Sequence, residues 1–329
     1  MCIEKALCGY SGVWIMVISK MKKAGFIAQC CAIGVALVGC GGGSTGASVS
    51  PAVAQPPPPA PVPNTSLANL VNTETFDVAS AVMSLDVSLS GQGSDQSYSS
   101  GNISPSTQVT YNASSDSFTL KIIQGDANYN QTFSPANIDA AQSDANFTIY
   151  DKSGDLLIYL NPHAPLLDLE YVTLGAWVSD AASPRDLTFG YLAGGIQTPD
   201  GDMPTTGTAS YQGEIAGTGI TKPLGVLYLI AGPVAIEADF ATGSVVSTVT
   251  VLRTDYLTGG TYAPYLFESN GSIATGTNLF GGTISSLDGS GLVGRLDGAF
   301  FGPTANEVGG TFNASNANDD MVGVFVGGP

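Results

Sequence analysis

Side chains able to carry out acid–base, nucleophilic or metal chemistry are few in this 329-residue chain. The single histidine, His163, lies in a proline-flanked segment, and no thiol beyond residue 40 can complete a zinc site with it. A solvated loop is the favoured interpretation of His163, with a lone haem ligand or the base of a catalytic triad as alternatives. The carboxylate pairs Asp200/Asp202 and Asp319/Asp320 indicate turns, with weak calcium binding as the alternative. Since a nucleophile elbow and a P-loop are also missing from the sequence, we predict no catalytic residue, no metal site and no enzyme activity.

One cysteine stands where covalent chemistry is expected. Met21-Lys22-Lys23 forms a positively charged start, residues 24–38 form an apolar run, and the run ends in Leu37-Val38-Gly39-Cys40. This ending resembles the lipobox of bacterial lipoproteins, in which the cysteine thiol accepts a diacylglyceryl group. The run is too short to span a bilayer comfortably. We therefore expect residues 1–39 to be an N-terminal extension and signal peptide, with translation starting at Met21, and expect Cys40 to carry the diacylglycerol and N-acyl lipid as the chain's only attached group.

The residues after Cys40 predict where the protein is held. Gly41 occupies the position at which aspartate favours retention in the inner membrane, so outer-membrane delivery is expected, with display on the cell surface favoured and the periplasmic face left open. Residues 40–64 are rich in glycine and then in proline. A flexible stretch followed by polyproline II can extend to roughly 70 Å. We interpret this segment as a tether between the lipid and a folded body.

The charge balance excludes one class of partner. Net charge is −17 for the chain, and beyond Cys40 there are six basic against 26 acidic side chains. Nucleic acid binding requires clustered Lys and Arg, and these six are scattered singly, so nucleic acid is excluded. The acidity fits a soluble, mutually repelling surface of a monomer, or alternatively a basic protein partner.

Short runs of β-branched and aromatic residues, separated by Gly, Asn, Asp and Ser, predict an all-β fold. Residues 65–185 are predicted to form a small, handle-like β domain, with one short helix within 65–84. From residue 186 the runs become more regular, and about eight antiparallel strands suffice to close a barrel. The sequence thus predicts an N-terminal β domain followed by a C-terminal β-barrel over 186–329.

Residues 298–312 read Gly-Ala-Phe-Phe-Gly-Pro-Thr-Ala-Asn-Glu-Val-Gly-Gly-Thr-Phe, and residues 323–328 read Gly-Val-Phe-Val-Gly-Gly. Together they resemble the C-terminal signature of the transferrin-binding protein B β-barrel family. Residues 203–213 are similar to the first barrel strand of that family, residues 237–245 to its central hairpin, and residues 171–177 to the strand joining the handle to the barrel. The chain has room for one handle and one barrel, whereas transferrin-binding protein B itself has two such lobes, which argues against transferrin as the ligand.

The signature is interpreted as a determinant of the fold rather than a ligand site. Pro303 can start a tight turn, Gly302, Gly309 and Gly310 permit unusual backbone angles or close strand approach, and Glu307 can satisfy turn amides. The predicted signature residues are Gly298, Phe300, Gly302, Pro303, Ala305, Glu307, Gly309, Gly310 and Phe312.

Ligand contact is predicted in loops that the barrel does not dictate. Residues 254–270 are predicted to be a loop whose aromatic side chains contact the ligand, and the alternative is that these side chains line the barrel. Residues 129–143 are the second candidate loop. The predicted contact residues are Tyr256, Tyr262, Tyr265 and Phe267.

The resemblance implies a lipid-anchored protein that captures a protein or a haem or iron-type ligand, in nutrient uptake together with a TonB-dependent receptor. The alternative is a structural or immune-shielding coat lipoprotein of the complement-regulator-binding type, without transported cargo.

Overall fold

The computed structural model describes residues 63–87, 93–124, 127–179, 186–222 and 224–329. Over these ranges the backbone forms two antiparallel sheets of eight strands each, the second of which closes into a barrel. The predicted fold class, a β domain followed by an eight-stranded β-barrel, is confirmed. Cys40, the signal peptide and nearly all of the tether lie outside the described residues. Within the described ranges, no helix is long and apolar enough to cross a membrane.

The first sheet, here called the handle sheet, has the strand order β4-β3-β2-β1-β8-β7-β6-β5. Short 3₁₀ helices at Leu67–Asn69 and Pro135–Asn137 flank its strands. The strands are β1 (Glu74–Val87), β2 (Gly93–Asn112), β3 (Ser117–Gln124), β4 (Ala127–Phe133), β5 (Phe147–Lys152), β6 (Asp155–Leu160), β7 (Val172–Ser179) and β8 (Asp186–Gly195).

The handle sheet curls so far that its two edge regions meet through side chains. Lys152, at the end of β5, donates to the Gln131 side-chain oxygen and to the Thr132 carbonyl of β4, each at 2.8 Å. Gln131 in turn donates to Asp155 at 2.6 Å. Inside the curl, the Tyr129 ring stacks on fully buried Trp177 with 4.8 Å between centroids. The handle sheet is therefore nearly a second barrel with an apolar interior of its own.

The second sheet is an up-and-down meander in which each strand pairs with its sequence neighbour and β16 pairs with β9 to close the barrel. A third 3₁₀ helix, Asp200–Asp202, precedes it. Its strands are β9 (Thr208–Thr221), β10 (Val226–Asp239), β11 (Ser244–Asp255), β12 (Thr261–Ile273), β13 (Leu279–Ser286), β14 (Val293–Phe301), β15 (Glu307–Ser315) and β16 (Asp319–Gly328).

Side chains at every second residue of the barrel strands point inward and fill the barrel. On β10 the alternate residues from Tyr228 to Ala238 are buried, and their neighbours Pro233 and Glu237 are exposed. This is the alternation expected of a strand with one face in a core and the other in solvent. The barrel interior is packed with apolar side chains, Phe267, Phe312 and Phe325 among them. It is a side-chain core rather than a channel.

Strand β16 departs from alternation, because all ten of its residues are buried. Met321 and Phe325 point into the barrel core. Val322, Val324 and Val326, on the opposite face, pack against the handle sheet in a separate apolar cluster. The strand is thus buried on both faces, and the handle docks on the outside of the barrel along it.

The start of the handle sheet differs in part from the prediction. Residues 65–84 contain the short 3₁₀ helix Leu67–Asn69, as expected, and then the start of strand β1, which the sequence did not predict. The predicted boundary at residue 186 is wrong, because strand β8 pairs with β1 and β7 of the handle sheet and the boundary between the two sheets falls between Gly195 and Thr208. The pairs of β8 with β1 join residues that are distant in sequence.

One half-buried carboxyl group lies at the edge of the docking face. Glu214 projects from β9 on the same side as Ala216 and Ile220, which pack in the handle–barrel cluster, and its strand neighbours are Pro233 and Val326. Burial raises the pKa of Glu214 to about 7, from 4.5. Between these values the native state holds a proton that the unfolded chain has released, so stability falls as pH rises from 4.5 to 7.

We therefore expect Glu214→Gln to raise the free energy of unfolding at pH 8, by about 2 kcal/mol and at most about 3 kcal/mol, and to leave it unchanged at pH 4. Urea unfolding at intervals from pH 4 to pH 8 measures this. The matched control is Glu237→Gln, at an exposed position of the adjacent strand β10. Equal stabilities of the Glu214→Gln variant and the wild type at pH 8 would contradict the assignment.

Candidate functional site

The barrel has two ends of different character. At the junction end lie the start of β9 and the loops 240–243, 274–278 and 302–306, and here the Phe301 backbone forms a β-bridge to Gln197 in the segment leaving the handle. At the distal end lie residues 222 and 224–225 between β9 and β10, and the turns 256–260, 287–292 and 316–318.

A carboxylate holds the junction end together. Glu307, at the start of β15, accepts backbone N–H bonds from Glu170 at 2.7 Å and from Tyr171 and Val172 at 2.8 Å each. Glu307 is only 4% exposed. Burial raises the pKa of this carboxyl and the three N–H donations oppose that rise. Glu307 thus satisfies the amides where the handle strand β7 begins.

The loop after β14 is fixed by the neighbouring segment. Gly302 has φ +82°, a left-handed angle that glycine adopts without strain, and a Cβ there would come within 2.7 Å of the Tyr171 ring. The Thr198 hydroxyl donates to the Gly302 carbonyl at 2.6 Å, and Tyr211 donates to the Ala305 carbonyl at 2.6 Å. Pro303 is exposed at the turn. The loop is therefore positioned from three sides.

The remaining signature residues lie inside the sheet. Gly298 and Gly310 are cross-strand partners, and a Cβ on Gly310 would come within 2.1 Å of the Asp297 carbonyl oxygen. Phe300 and Phe312 fill the barrel core, and Gly309 faces Val172 of the handle, 2.8 Å from where a Cβ would stand. The predicted signature residues lie in the barrel wall, in its core and at its joint with the handle.

Apolar side chains stand exposed at the distal end. Leu224, Leu257 and Leu287 occupy three different turns, and Val293 begins β14 beside the third, with exposures between 50% and 65%. We call these four residues the distal rim. Exposed single apolar residues are ordinary on protein surfaces, and what sets these four apart is that they share one end of the barrel.

A buried charged and aromatic cluster lies under the distal rim. Arg253, 8% exposed, points into the barrel from β11, with its Nη1 3.4 Å from a carboxylate oxygen of Asp319. Its guanidinium also donates to the Ala263 carbonyl at 3.0 and 2.8 Å. The carbon at the centre of that guanidinium lies 3.7 Å from the Tyr265 ring centroid and 5.5 Å from that of Tyr262. The cluster joins β11, β12 and β16 at the mouth of the barrel.

Of the four predicted contact residues, Tyr262 and Tyr265 belong to this cluster, Phe267 belongs to the core, and Tyr256 is half-buried in the turn 256–260. The Tyr262 hydroxyl donates to Asp255 at 2.8 Å, and the Tyr265 hydroxyl donates to Asp319. Burial raises the pKa of Tyr256, Tyr262 and Tyr265. Phe267 is fully buried in the barrel core, where no ligand at the surface can touch it.

The predicted loop 254–270 is wrong for most of its length, since β12 begins at Thr261 and only the turn 256–260 is left between strands. The second candidate, 129–143, begins within β4 and carries a 3₁₀ helix at Pro135–Asn137. Tyr262 and Tyr265 therefore line the barrel mouth, the alternative that the sequence left open, whereas Tyr256 lies in the turn.

Sequence reasoning missed Arg253 and the distal rim. Arg253 follows Val249 and Val251 at two-residue spacing, so it occupies an inward position, which was the available signal. Each rim residue is an apolar side chain in or beside a polar turn.

The histidine and the Asp319/Asp320 pair singled out in the sequence form hydrogen bonds or ion pairs with neighbouring side chains. The His163 ring nitrogen Nδ1 lies 2.7 Å from Asp168 on the exposed surface, and this hydrogen bond raises the pKa of His163. Asp319 and Asp320 begin β16 instead of forming a turn, and Asp320 pairs with Lys222 at 3.0 Å. Among the described residues, no three His, Cys, Asp or Glu side chains are grouped so as to hold a metal ion.

A comparison with protein families finds a match for the barrel. Residues 203–328 match the family model described as the C-lobe and N-lobe β-barrels of transferrin-binding protein B. A search of curated proteins gave no match.

Among solved structures, the chain is similar to a double mutant of transferrin-binding protein B from Haemophilus parasuis Hp5, with 13% identity and a TM-score of 0.41 over 78% of this chain and 76% of that one. For isotype 1 transferrin-binding protein B from serogroup B Neisseria meningitidis, identity is 16% and the TM-score is 0.43 over 77% of this chain and 43% of that one. For the N-lobe of lactoferrin-binding protein B from Moraxella bovis, identity is 10% and the TM-score is 0.35 over 77% and 98%. The match to the family model covers the β-barrel, which is thus similar to the barrels of transferrin-binding protein B, and does not extend to the handle sheet.

Proposed function

We propose that this protein is a lipoprotein of the outer membrane, anchored through Cys40, that captures a protein ligand at the distal end of its barrel without acting on it chemically. The ligand is a host protein or a carrier of haem or iron, handed on to a TonB-dependent receptor. The family of the barrel and the lipobox-like sequence at Cys40 support this proposal. The observation that carries it is the distal rim.

The distal rim has the composition of an interface centre. Four large apolar side chains, each at least half exposed, leave apolar area in water whose burial is worth about 25 cal/mol per Å². Charged residues are depleted and apolar or aromatic ones enriched at the centres of protein interfaces. The partly buried Tyr262 and Tyr265 beneath the rim add aromatic area at the mouth. Contact with a protein partner would remove this area from water.

The turns that carry the rim are held by hydrogen bonds. The Asp255 carboxylate accepts from the Leu257 and Thr258 amides at 2.9 and 2.7 Å. Asp288 accepts from the amides of Leu266 and Ser290, each at 2.9 Å. A preorganised surface loses less conformational entropy on binding, so more of its contact energy appears as affinity. The turns thus present the rim rigidly.

Site-specific photo-crosslinking tests the proposal. A benzophenone amino acid is introduced at position 257, in the distal rim, and cells that display the protein are grown with the protein mixture they meet in their natural surroundings. Irradiation should then crosslink position 257 to one discrete protein. The control position is 71, an exposed apolar site on the handle, where Val71 is 60% exposed. Adding Leu224→Asp and Leu287→Asp should abolish the adduct, because losing a hot spot costs about 2 kcal/mol, roughly a thirtyfold loss of affinity.

Equal adducts at both positions, or an adduct that survives the two aspartates, would place the ligand elsewhere. A complete lack of adducts at the rim favours the coat lipoprotein that transports no cargo.

A further inference from the structure

The handle sheet contains an apolar pocket that plays no part in the distal end. Its floor is made by buried side chains of the handle interior, Phe76, Val78, Leu157 and Leu192 among them. Its mouth is lined by half-buried residues, including Leu67 and Leu70 of the 3₁₀ turn. The floor is closed and the mouth reaches the surface.

The lining offers a ligand little hydrogen bonding. Among the described residues that line the pocket none is charged, and two, Thr173 and Tyr159, carry a hydroxyl. The Thr173 hydroxyl already donates to the Leu160 carbonyl at 2.7 Å, and the Tyr159 hydroxyl is hydrogen-bonded with Tyr150. A polar or charged group entering the pocket would lose its hydration with little compensation. The occupant must be apolar along the part that enters.

The size of the pocket limits the shape of the ligand that it can hold. The cavity volume is about 90 Å³. A cavity of about 150 Å³ with similar lining stays dry and binds benzene. A planar ring system, and haem above all, is too large for the smaller space. A slender alkyl chain can enter end on while its polar head stays in water at the open mouth.

We propose that the handle binds the alkyl chain of a single-chain amphiphile such as a fatty acid, with the chain end against Val78 and Leu192. Recognition is of the chain and not of the head, because the lining carries no charge. The site is separate from the distal rim, so the two are tested independently.

Fluorescence titration with N-dodecyl dansylamide, whose dansyl group is at the head and whose alkyl end is free, tests this on residues 40–329 with Cys40→Ala, which keep every described residue and carry no lipid. The wild-type pocket should bind the probe saturably, and laurate should displace it whereas benzene at equal concentration should not. Val109→Phe fills the pocket, which Val109 lines, and should weaken binding at least tenfold. The matched control is Val246→Phe on the barrel surface, which should change affinity less than twofold.

Amide chemical shifts provide a readout that does not depend on the variants folding. Addition of laurate to the wild type should shift amides of Leu70, Thr173 and Gly194, which line the pocket, and leave those of Leu224 and Leu257 at the distal rim unchanged. Non-saturable binding, equal affinity of Val109→Phe and Val246→Phe, or shifts confined to other surfaces would each overturn the proposal.

Discussion

Replacing Glu307 by alanine is expected to lower the free energy of unfolding by about 3 kcal/mol or more. The substitution leaves the amides of Glu170, Tyr171 and Val172 without the carboxylate oxygens that now accept from them at 2.7 to 2.8 Å. A buried donor left unsatisfied costs about 1–3 kcal/mol. Because these amides belong to the handle and Glu307 to the barrel, the loss should appear as loosened docking as well as reduced stability.

Urea unfolding measures the first effect, and hydrogen exchange of the amides at positions 170–172 measures the second. The control is Glu237→Ala, at an exposed site on β10, where a change within about 0.5 kcal/mol is expected. Glu307→Gln keeps the size and one acceptor oxygen, so it should fall between the wild type and Glu307→Ala. If Glu307→Ala keeps the wild-type urea midpoint and the wild-type exchange protection at positions 170–172, Glu307 does not hold the handle to the barrel.

Arg253→Met is expected to be the second strongly destabilising change, costing about 3–5 kcal/mol, because it leaves the Asp319 carboxylate buried without its cation. Removing both charges together, as Arg253→Met with Asp319→Leu, should recover most of this loss, since apolar residues of similar volume can replace a buried ion pair at little cost. The double-mutant cycle should therefore give a coupling energy well above 1 kcal/mol.

The exposed pair Arg295–Asp297 is the matched control. Its nitrogen and oxygen are 2.7 Å apart, closer than the 3.4 Å of the buried pair, yet the Arg295 side chain is 58% exposed. Exposed ion pairs contribute about 0–1 kcal/mol, so Arg295→Met should cost well under 1 kcal/mol. If the two single variants cost the same, burial does not set the contribution of Arg253.

The barrel could be predicted because the sequence patterns that specify its strands are local and recur along the chain. Alternation on β10 and glycines such as Gly302 and Gly310 constrain the backbone wherever they occur in the chain. Strand β12 escaped prediction because Pro264 lacks an amide for the ladder. In the fold, Pro264 lies where Val251 pairs with Tyr265 and Arg253 with Tyr262, a bulge that accommodates a proline.

Strand β1 escaped prediction for a different reason. It is a central strand, and its successive residues Ala81, Val82 and Met83 are all buried, so burial on both faces removed the two-residue alternation that marks a strand. The sequence also did not reveal which sheet β8 joins. Strand β8 pairs with β1, which is far away in the chain, as in the pair of Ala81 with Tyr191. Such pairing depends on contacts that local periodicity does not encode.

The sequence by itself determined the fold class, the eight-stranded barrel and the likeness of that barrel to those of transferrin-binding protein B, since repeated strand patterns and a contiguous signature are readable within a few residues. Only the tertiary structure decided that Glu307 accepts from amides up to 137 residues away and that Arg253 meets Asp319 inside the barrel. It also gathered Leu224, Leu257, Leu287 and Val293 on one rim. The physical reason is that these features arise from chain closure, which brings together side chains whose separation in sequence bears no relation to their distance in space.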